Sequence, residues 1–132
     1  MRISRTWVLA GLAAVAIGCS SSSTGPSGGG NGPGGGPVGS VIVGNIFFES
    51  GHNGTRNAAQ DTVAVGQAVT WTWTSTGSTA HSVAAIPAGS FPSSGILTGN
   101  GMTYSFTFTQ PGTYHYQCAV HGAAMSGIIV VQ

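Results

Sequence analysis

Three side chains with metal-binding chemistry lie close together near the end of the chain. They are the thiol of Cys118, the imidazole of His121 and the thioether of Met125, and a second imidazole, His81, lies in an earlier segment. Two imidazoles, a thiolate and a weak axial thioether are the set of ligands that selects copper over zinc or iron. Zinc favours a fourth strong ligand, and the neighbouring sequence offers none. The four residues therefore predict a mononuclear copper site.

The cysteine count also favours a bound metal. Only Cys19 and Cys118 are present, and if Cys19 is lipidated or cleaved away, the mature domain keeps one thiol. An unpaired thiol outside the cytoplasm is open to oxidation, and a metal would protect it. Each ligand taken alone has a structural explanation, as a packed histidine, a core methionine or an inert buried thiol. Their joint spacing favours the metal site.

Other histidines and large side chains have structural interpretations. His115 alternates away from the thiol and is expected to face solvent, and His52 lies in a predicted surface turn. Met102 is expected in a loop or in the packing of the domain. Trp71 and Trp73 are expected mainly in the core.

The elements that must bring the ligands together are β-strands. Short runs of β-branched and aromatic residues are separated by Gly, Pro, Asn and Ser. Val69, Trp71 and Trp73 share one face of such a run and threonines the other, which predicts one buried and one wet face, as in antiparallel sheets. The predicted strands are residues 41–48 with a bend at Gly44-Asn45, 62–65, 68–74, 81–86, 103–109, 113–118 and 128–131. About seven or eight such strands predict an all-β Greek-key β-sandwich.

The same residues resemble the cupredoxins, the small blue copper proteins of the plastocyanin, pseudoazurin and amicyanin group. The likeness runs from Ser40 to the end of the chain. It is carried by Gly66-Gln67-Ala68-Val69-Thr70-Trp71, by Ala80-His81-Ser82-Val83, by the stretch from Phe91 to Gly99, and by the ligand half from Phe106 to Gly127. The resemblance implies a cupredoxin-like fold in which His81, Cys118, His121 and Met125 hold one type 1 copper ion. It also implies a carrier of single electrons, with His121 as the electron port at the surface.

The chain departs from the cupredoxin pattern at the ligand loop and beside the first histidine. Its spacing is Cys-x2-His-x3-Met, whereas amicyanin-like loops have two residues before the Met and plastocyanin-like loops four, so the strength of the Met125 bond does not follow from the family. Val120 replaces a frequent proline and frees an N–H near the thiolate, a donor that can raise the reduction potential. Ser82 replaces the usual Asn, so its hydrogen bond toward the sulfur is expected to be weak or absent.

The composition limits the possible partners and activities. Charged residues make up 4% of the chain and the net charge is +1, which excludes a nucleic-acid partner, and no carboxylate pair supports a two-carboxylate hydrolase. The His-x-His ligands of multicopper enzymes are also lacking, so no enzymatic activity is expected. Gly122, Ala123 and Ala124 flank His121 as a small uncharged patch. This patch predicts a monomer that docks redox partner proteins weakly and transiently.

The N-terminal part has the composition of a targeting signal and a tether. Two arginines, a short apolar run and Cys19 in a setting like a bacterial lipobox predict a lipoprotein signal peptide, residues 1–18, with Cys19 lipidated. Ordinary cleavage after Ala16 is the alternative. Residues 19–39, rich in Gly, Ser and Pro, predict a flexible linker, and residues 40–132 the copper-binding domain. The protein is then expected outside the cytoplasm, in the periplasm or at the cell surface, anchored to the membrane by lipid.

Two other functions are compatible with the sequence. A copper capture or delivery protein would use the same four ligands in a more open site, and a metal-free sandwich would serve in adhesion. An intense blue or green colour with a reversible redox couple would support the electron carrier. Fast transfer of Cu(I) to chelators without that colour would support delivery, and failure to bind copper would select adhesion.

Overall fold

In a computed structural model of the chain, the described residues form eight β-strands, arranged in two four-stranded sheets. The structure describes residues 34–74 and 76–132. The strands are β1 (Ser40–Gly44), β2 (Phe47–Ser50), β3 (Ala59–Val63), β4 (Ala68–Trp73), β5 (Ala84–Ile86), β6 (Thr103–Thr107), β7 (Gly112–Cys118) and β8 (Gly122–Val131). The predicted all-β sandwich is confirmed. The described residues include no helix long and apolar enough to span a membrane.

Both sheets mix parallel and antiparallel pairs. The first has the strand order β2-β1-β4-β6, and β1 runs parallel to β4, with Val43 opposite Trp73. The second has the order β3-β8-β7-β5, and β3 runs parallel to β8, with Asp61 opposite Ile129. The alternation of apolar and polar residues predicted antiparallel sheets. Alternation within one strand does not specify the direction of the neighbouring strand, and a crossover connection can place a parallel strand beside it.

The core is built from inward-facing residues of both sheets, as the alternation predicted. Val69, Trp71 and Trp73 of β4 are buried, whereas the threonines between them are half-buried. The rings of Trp71 and Tyr116, which lie on different sheets, form a T-shaped pair with their centroids 5.3 Å apart. Such edge-to-face pairs add to the stabilisation from buried area, so this contact joins the two sheets two residues before Cys118.

Tyr116 packs over a glycine of the neighbouring strand. β7 and β8 pair so that Tyr116 lies opposite Gly127, and a Cβ added at Gly127 would lie 2.1 Å from Cζ of Tyr116. Because Gly127 has no side chain, the Tyr116 ring can occupy the space above it. Burial raises the pKa of the Tyr116 hydroxyl, so this residue stays neutral and acts as part of the core.

The first predicted strand is in fact two strands. β1 and β2 pair antiparallel in a register that leaves Asn45 and Ile46 as the turn between them. Ile46 has a positive φ of 61°, and the chain reverses where only a bend was predicted. The third strand also lies earlier than predicted, at Ala59–Val63 instead of residues 62–65.

The strands next to the predicted ligands differ from the prediction at their first residues. β5 covers only Ala84–Ile86, so His81 lies before it and is joined to Leu97 by an isolated bridge. β8 begins at Gly122 instead of residue 128. Pairing with β7 extends β8 through glycines and alanines of low strand propensity, which places Met125 on a strand and not on a loop.

The segment before β1 lies against the domain. The backbone N–H of Gly36 donates to the carbonyl of Gly51 at 2.7 Å, and that of Gly39 donates to the buried carboxylate of Asp61 at 2.9 Å. The boundary predicted between residues 39 and 40 stays a prediction. Residues 1–33, which contain the predicted signal peptide and Cys19, lie outside the described part of the chain.

The two ends of the sandwich differ in chemistry. β7 ends and β8 begins at the end that carries the predicted ligands. At the other end, where β3 and β8 finish, a cleft of about 620 Å³ lies between Val38, the β3–β4 turn and Gln132. The side chains that line this cleft include no histidine, cysteine or carboxylate, so the metal-binding chemistry lies at the first end.

Candidate metal centre

Two separate segments bring the ligands to one end of the sandwich. Cys118 is the last residue of β7, and a tight turn leads through His121 into β8, where Met125 follows. His81 precedes β5, and its backbone N–H and carbonyl both pair with Leu97, at 3.0 and 2.9 Å. Because β5 pairs with β7, the first histidine lies beside the end of β7.

The nitrogen and sulfur donors converge on one point. Sγ of Cys118 lies 3.4 Å from Nδ1 of His121 and 3.9 Å from Nδ1 of His81. The three ligand atoms all lie within 4.8 Å of one another. Metal bonds of about 2.0 Å to nitrogen and about 2.3 Å to sulfur, set at 120°, would place nitrogen and sulfur about 3.7 Å apart. The observed spacing therefore fits one ion bound by all three atoms.

Met125 completes the set of donors from β8. Its side chain is fully buried. Two imidazoles and one thiolate with a thioether are the ligands of a type 1 copper site, and His81, Cys118, His121 and Met125 have that arrangement here.

Exposure differs among the four ligands. His81, Cys118 and Met125 have 0% of their surface exposed, whereas His121 is half-buried. The rings of the two histidines lie 4.8 Å apart between centroids, with an angle of 38° between their planes. His121 is thus the ligand through which the centre reaches the surface.

The surroundings of His81 favour a neutral imidazole. Burial, and secondly the neighbouring His121, lower the pKa of His81 from its usual value of 6.5. A neutral ring is the form that binds a metal ion. Nδ1 of this residue lies 3.9 Å from Sγ of Cys118, while Nε2 is buried and has no hydrogen-bond partner among the described residues. The ring therefore fits the role of a copper ligand.

Ser82 links the two segments that carry the ligands. Its hydroxyl accepts a hydrogen bond from the backbone N–H of Ala119 at 3.0 Å, and the serine is buried. The bond acts on the backbone next to Cys118. Val120, which follows, is 50% exposed, and its N–H as a donor near the thiolate stays a prediction. Gly122 has a φ of 60°, which glycine adopts without strain, where the turn enters β8.

The other histidines and the other methionine considered in the sequence lie away from the donors. His115 is exposed on β7. His52 lies 3.5 Å from the carboxylate of Asp61. Met102 is 43% exposed. None of these residues belongs to the group of converging donors within the described ranges.

Sequence patterns did not reveal the residues that hold the backbone of His81. Leu97 pairs with it through backbone atoms, and the hydroxyl of Ser94 accepts a hydrogen bond from the N–H of Val83 at 2.8 Å. Backbone pairing leaves no mark in the residue type. A serine in a stretch rich in Gly, Pro and Ser also has the appearance of an ordinary loop residue.

Several known structures share this fold. A mutant of oxidised amicyanin is 28% identical, with a TM-score of 0.54, over 70% of this chain and 80% of that chain. A purple cupredoxin from Nitrosopumilus maritimus is 23% identical, with a TM-score of 0.55, over 70% of this chain and 98% of that one. A copper-containing nitrite reductase from Thermus scotoductus is 24% identical, with a TM-score of 0.53, over 70% of this chain but 22% of that enzyme. The last two likenesses show the fold alone.

The sequence itself matches a family model. Residues 50–132 match the model that describes copper-binding proteins of the plastocyanin/azurin family, whereas no curated protein matches the chain. The matched range covers more than half of the chain and includes all four converging ligands. We conclude that the chain belongs to the plastocyanin/azurin family of copper-binding proteins.

Proposed function

We propose that the protein carries single electrons through one type 1 copper ion. The observation that supports this role is the uneven exposure of the ligands, because three of them are fully buried and His121 is half-buried. A catalytic copper must admit a substrate to the metal. An electron carrier needs only one ligand ring near the surface, and the burial of Cys118 and Met125 shields the sulfur donors from solvent.

Bound copper supplies a one-electron couple, and the protein supplies donors held in place. Cys118 would bind copper as a thiolate, and both histidines would bind it as neutral rings through Nδ1, the ring nitrogen that faces Sγ of Cys118 in each. The strand pairing of β7 with β5 and β8 holds these residues, and the hydrogen bond from Ala119 to Ser82 ties the two ligand segments together. Because the ligands are held in this way, their positions would change little between the two oxidation states of copper, which favours fast electron transfer.

The surface next to His121 is apolar and small. Val120, Ala123 and Ala124 are exposed there. Among the described residues, the charged side chains lie elsewhere, as one arginine–glutamate ion pair beside β2 and one buried aspartate. We infer that this monomeric protein docks its redox partner proteins through weak, transient apolar contacts that depend little on salt.

We also propose that the protein works outside the cytoplasm, in the periplasm or at the cell surface, anchored by a lipid on Cys19. The support lies in the sequence. Two arginines precede a short apolar run, Cys19 follows the run, and a stretch rich in Gly, Ser and Pro leads to the domain.

The proposed role includes no enzymatic activity. The likeness to the nitrite reductase covers 22% of that enzyme, whereas the likeness to amicyanin covers 80% of the amicyanin chain. In length, the domain therefore corresponds to the amicyanin chain and not to the larger nitrite reductase.

Titration of the full chain with Cu(II), followed by absorption and electron paramagnetic resonance (EPR) spectroscopy, tests the proposal. One equivalent is expected to produce an intense sulfur-to-copper band and a reversible one-electron couple. Cys118→Ser is expected to abolish the band. His115→Gln removes an exposed imidazole from the same strand and is the matched control, which should keep it.

Two results would contradict the proposal in different ways. Binding of Cu(I) that passes rapidly to chelators, without the sulfur-to-copper band, would identify a copper-delivery protein with the same ligands. Failure of the folded wild type to bind copper would exclude the copper centre as well as the carrier.

A further inference from the structure

Among the described residues, no acceptor meets the second ring nitrogen of His81, Nε2, whereas its first ring nitrogen, Nδ1, lies 3.9 Å from Sγ of Cys118. Metal-binding histidines usually donate their second ring N–H to an acceptor, which fixes the direction of the ring. Nε2 of His81 is buried and has no hydrogen-bond partner within residues 34–74 and 76–132. Its direction toward Cys118 must therefore come from the backbone that carries it and from packing against neighbours such as His121.

That backbone is held by a second segment on the side away from β7. Leu97 pairs with His81 through both of its backbone groups. At Val83, two residues after His81, one of the two hydrogen-bond partners is a side chain and not a backbone group. The N–H of Ser94 donates to the carbonyl of Val83 at 2.9 Å, but the N–H of Val83 donates to the hydroxyl of Ser94, at 2.8 Å.

The hydroxyl of Ser94 thus takes the place of a backbone acceptor. It also donates to the carbonyl of Gly95 at 2.8 Å, so the hydroxyl both accepts and donates a hydrogen bond. Val83 is completely buried, and water therefore has little access to its N–H. Loss of the hydroxyl would leave a buried donor unpaired, and the backbone next to the ligand would have to shift to pair it again.

We propose that Ser94 is a positioning residue for the copper centre. Its hydroxyl holds the backbone at Val83 and, through it, sets the direction of the His81 ring. The inference rests on the copper centre described above and does not depend on electron transfer. In other metal sites, an acceptor on the second ring nitrogen fixes the direction of the histidine ring. Here the Ser94 hydroxyl fixes that direction through the backbone.

A pair of variants that differ only in the hydroxyl tests the inference. Ser94→Thr keeps a hydroxyl, whereas Ser94→Val replaces it with a methyl group of similar size. The matched control is Ser93→Val, because the Ser93 hydroxyl accepts from the N–H of Ala85 at 3.1 Å, two residues farther from the ligand. Copper affinity is measured on each full chain by competition with a chelator, and the Cu(II) hyperfine splitting by EPR.

Ser94→Val is expected to weaken copper binding about 10-fold and to change the hyperfine splitting, while Ser94→Thr and Ser93→Val stay within about twofold of the wild type. In the metal-free Ser94→Val protein, the Val83 amide should exchange hydrogen faster while the amides of β1 and β4 keep their protection. This second measurement separates a local change from unfolding. If Ser94→Val does not fold, Ser94→Ala replaces it in the same comparison.

The inference is wrong if the hydroxyl-free variant keeps the affinity and EPR spectrum of the wild type, or if Ser93→Val changes them equally. A folded wild type that binds no copper would instead refute the copper centre itself. The two failures are therefore distinguishable.

Discussion

Ser82 and Ala119 are joined by a hydrogen bond of 3.0 Å that connects the two segments carrying the copper ligands. Ser82 follows the first ligand, His81, and Ala119 follows Cys118. The bond joins residues that are 37 positions apart in the chain. The geometry of the centre therefore depends on a contact between the neighbours of the ligands as well as on the ligands themselves.

Removing this contact is expected to loosen the centre. Ser82→Ala leaves the N–H of Ala119 without its acceptor, which should destabilise the metal-free protein by about 1 kcal/mol and weaken copper binding about 10-fold. Urea unfolding and competition with a chelator measure the two effects. Ser105→Ala is the control, because its hydroxyl contacts Thr70 on an exposed face. Unchanged copper affinity in Ser82→Ala would show that strand pairing alone positions the ligands.

Metal-free protein is expected to lose stability as the pH falls through 6.5. Burial lowers the pKa of His81 from that value, so the unfolded chain takes up a proton at a higher pH than the folded chain does. The free energy of unfolding then decreases until the folded histidine is also protonated, at its lower pKa. Urea unfolding between about pH 8 and about pH 5 measures this dependence.

The matched variant for the pH experiment is His81→Gln. It removes the titrating group and should flatten the loss of stability below pH 6.5. A variant with the same slope as the wild type would assign the pH dependence to other groups.

Gly127→Ala is expected to destabilise the domain. An added Cβ would lie 2.1 Å from Cζ of Tyr116, and the buried ring has little room to move, so we expect a loss of about 1–3 kcal/mol. Gly95→Ala is a suitable control because an added Cβ there meets no atom within 4 Å. Urea unfolding should show a change within about 0.5 kcal/mol for this control. Equal stability of the two variants would mean that the Tyr116 ring adjusts freely.

The buried carboxylate of Asp61 is expected to contribute more to stability than the exposed ion pair. It accepts hydrogen bonds from the N–H groups of Gly39 and Thr62, at 2.9 and 3.0 Å, and from the hydroxyl of Ser50 at 3.4 Å. Asp61→Asn replaces part of this acceptor with a donor and should cost about 3 kcal/mol in unfolding free energy. Thermal or urea unfolding measures the loss.

The comparison for Asp61 is Glu49→Gln. Glu49 pairs with Arg56 at 2.7 Å, and the arginine side chain is 52% exposed. Exposed pairs of this kind contribute at most about 1 kcal/mol. A larger loss for Glu49→Gln than for Asp61→Asn would contradict the role assigned to the buried carboxylate.

The kind of chemistry and the class of fold follow from short-range patterns in the sequence. Cys118, His121 and Met125 lie on one turn and the start of the next strand, so their spacing was enough to predict a shared site. The alternation of Val69, Trp71 and Trp73 with threonines predicted the buried face of β4 correctly. Successive side chains of any strand point to opposite faces, whichever strand lies beside it.

Contacts between distant segments were decided only by the tertiary structure. The parallel pairing of β1 with β4, the start of β8 at Gly122 and the position of Ser94 beside the backbone of His81 are examples. The type of a residue does not specify which distant backbone group it will contact, because that contact depends on how the whole sandwich packs. For the same reason the half-burial of His121, on which the proposed function rests, was expected from resemblance but could be established only from the packed structure.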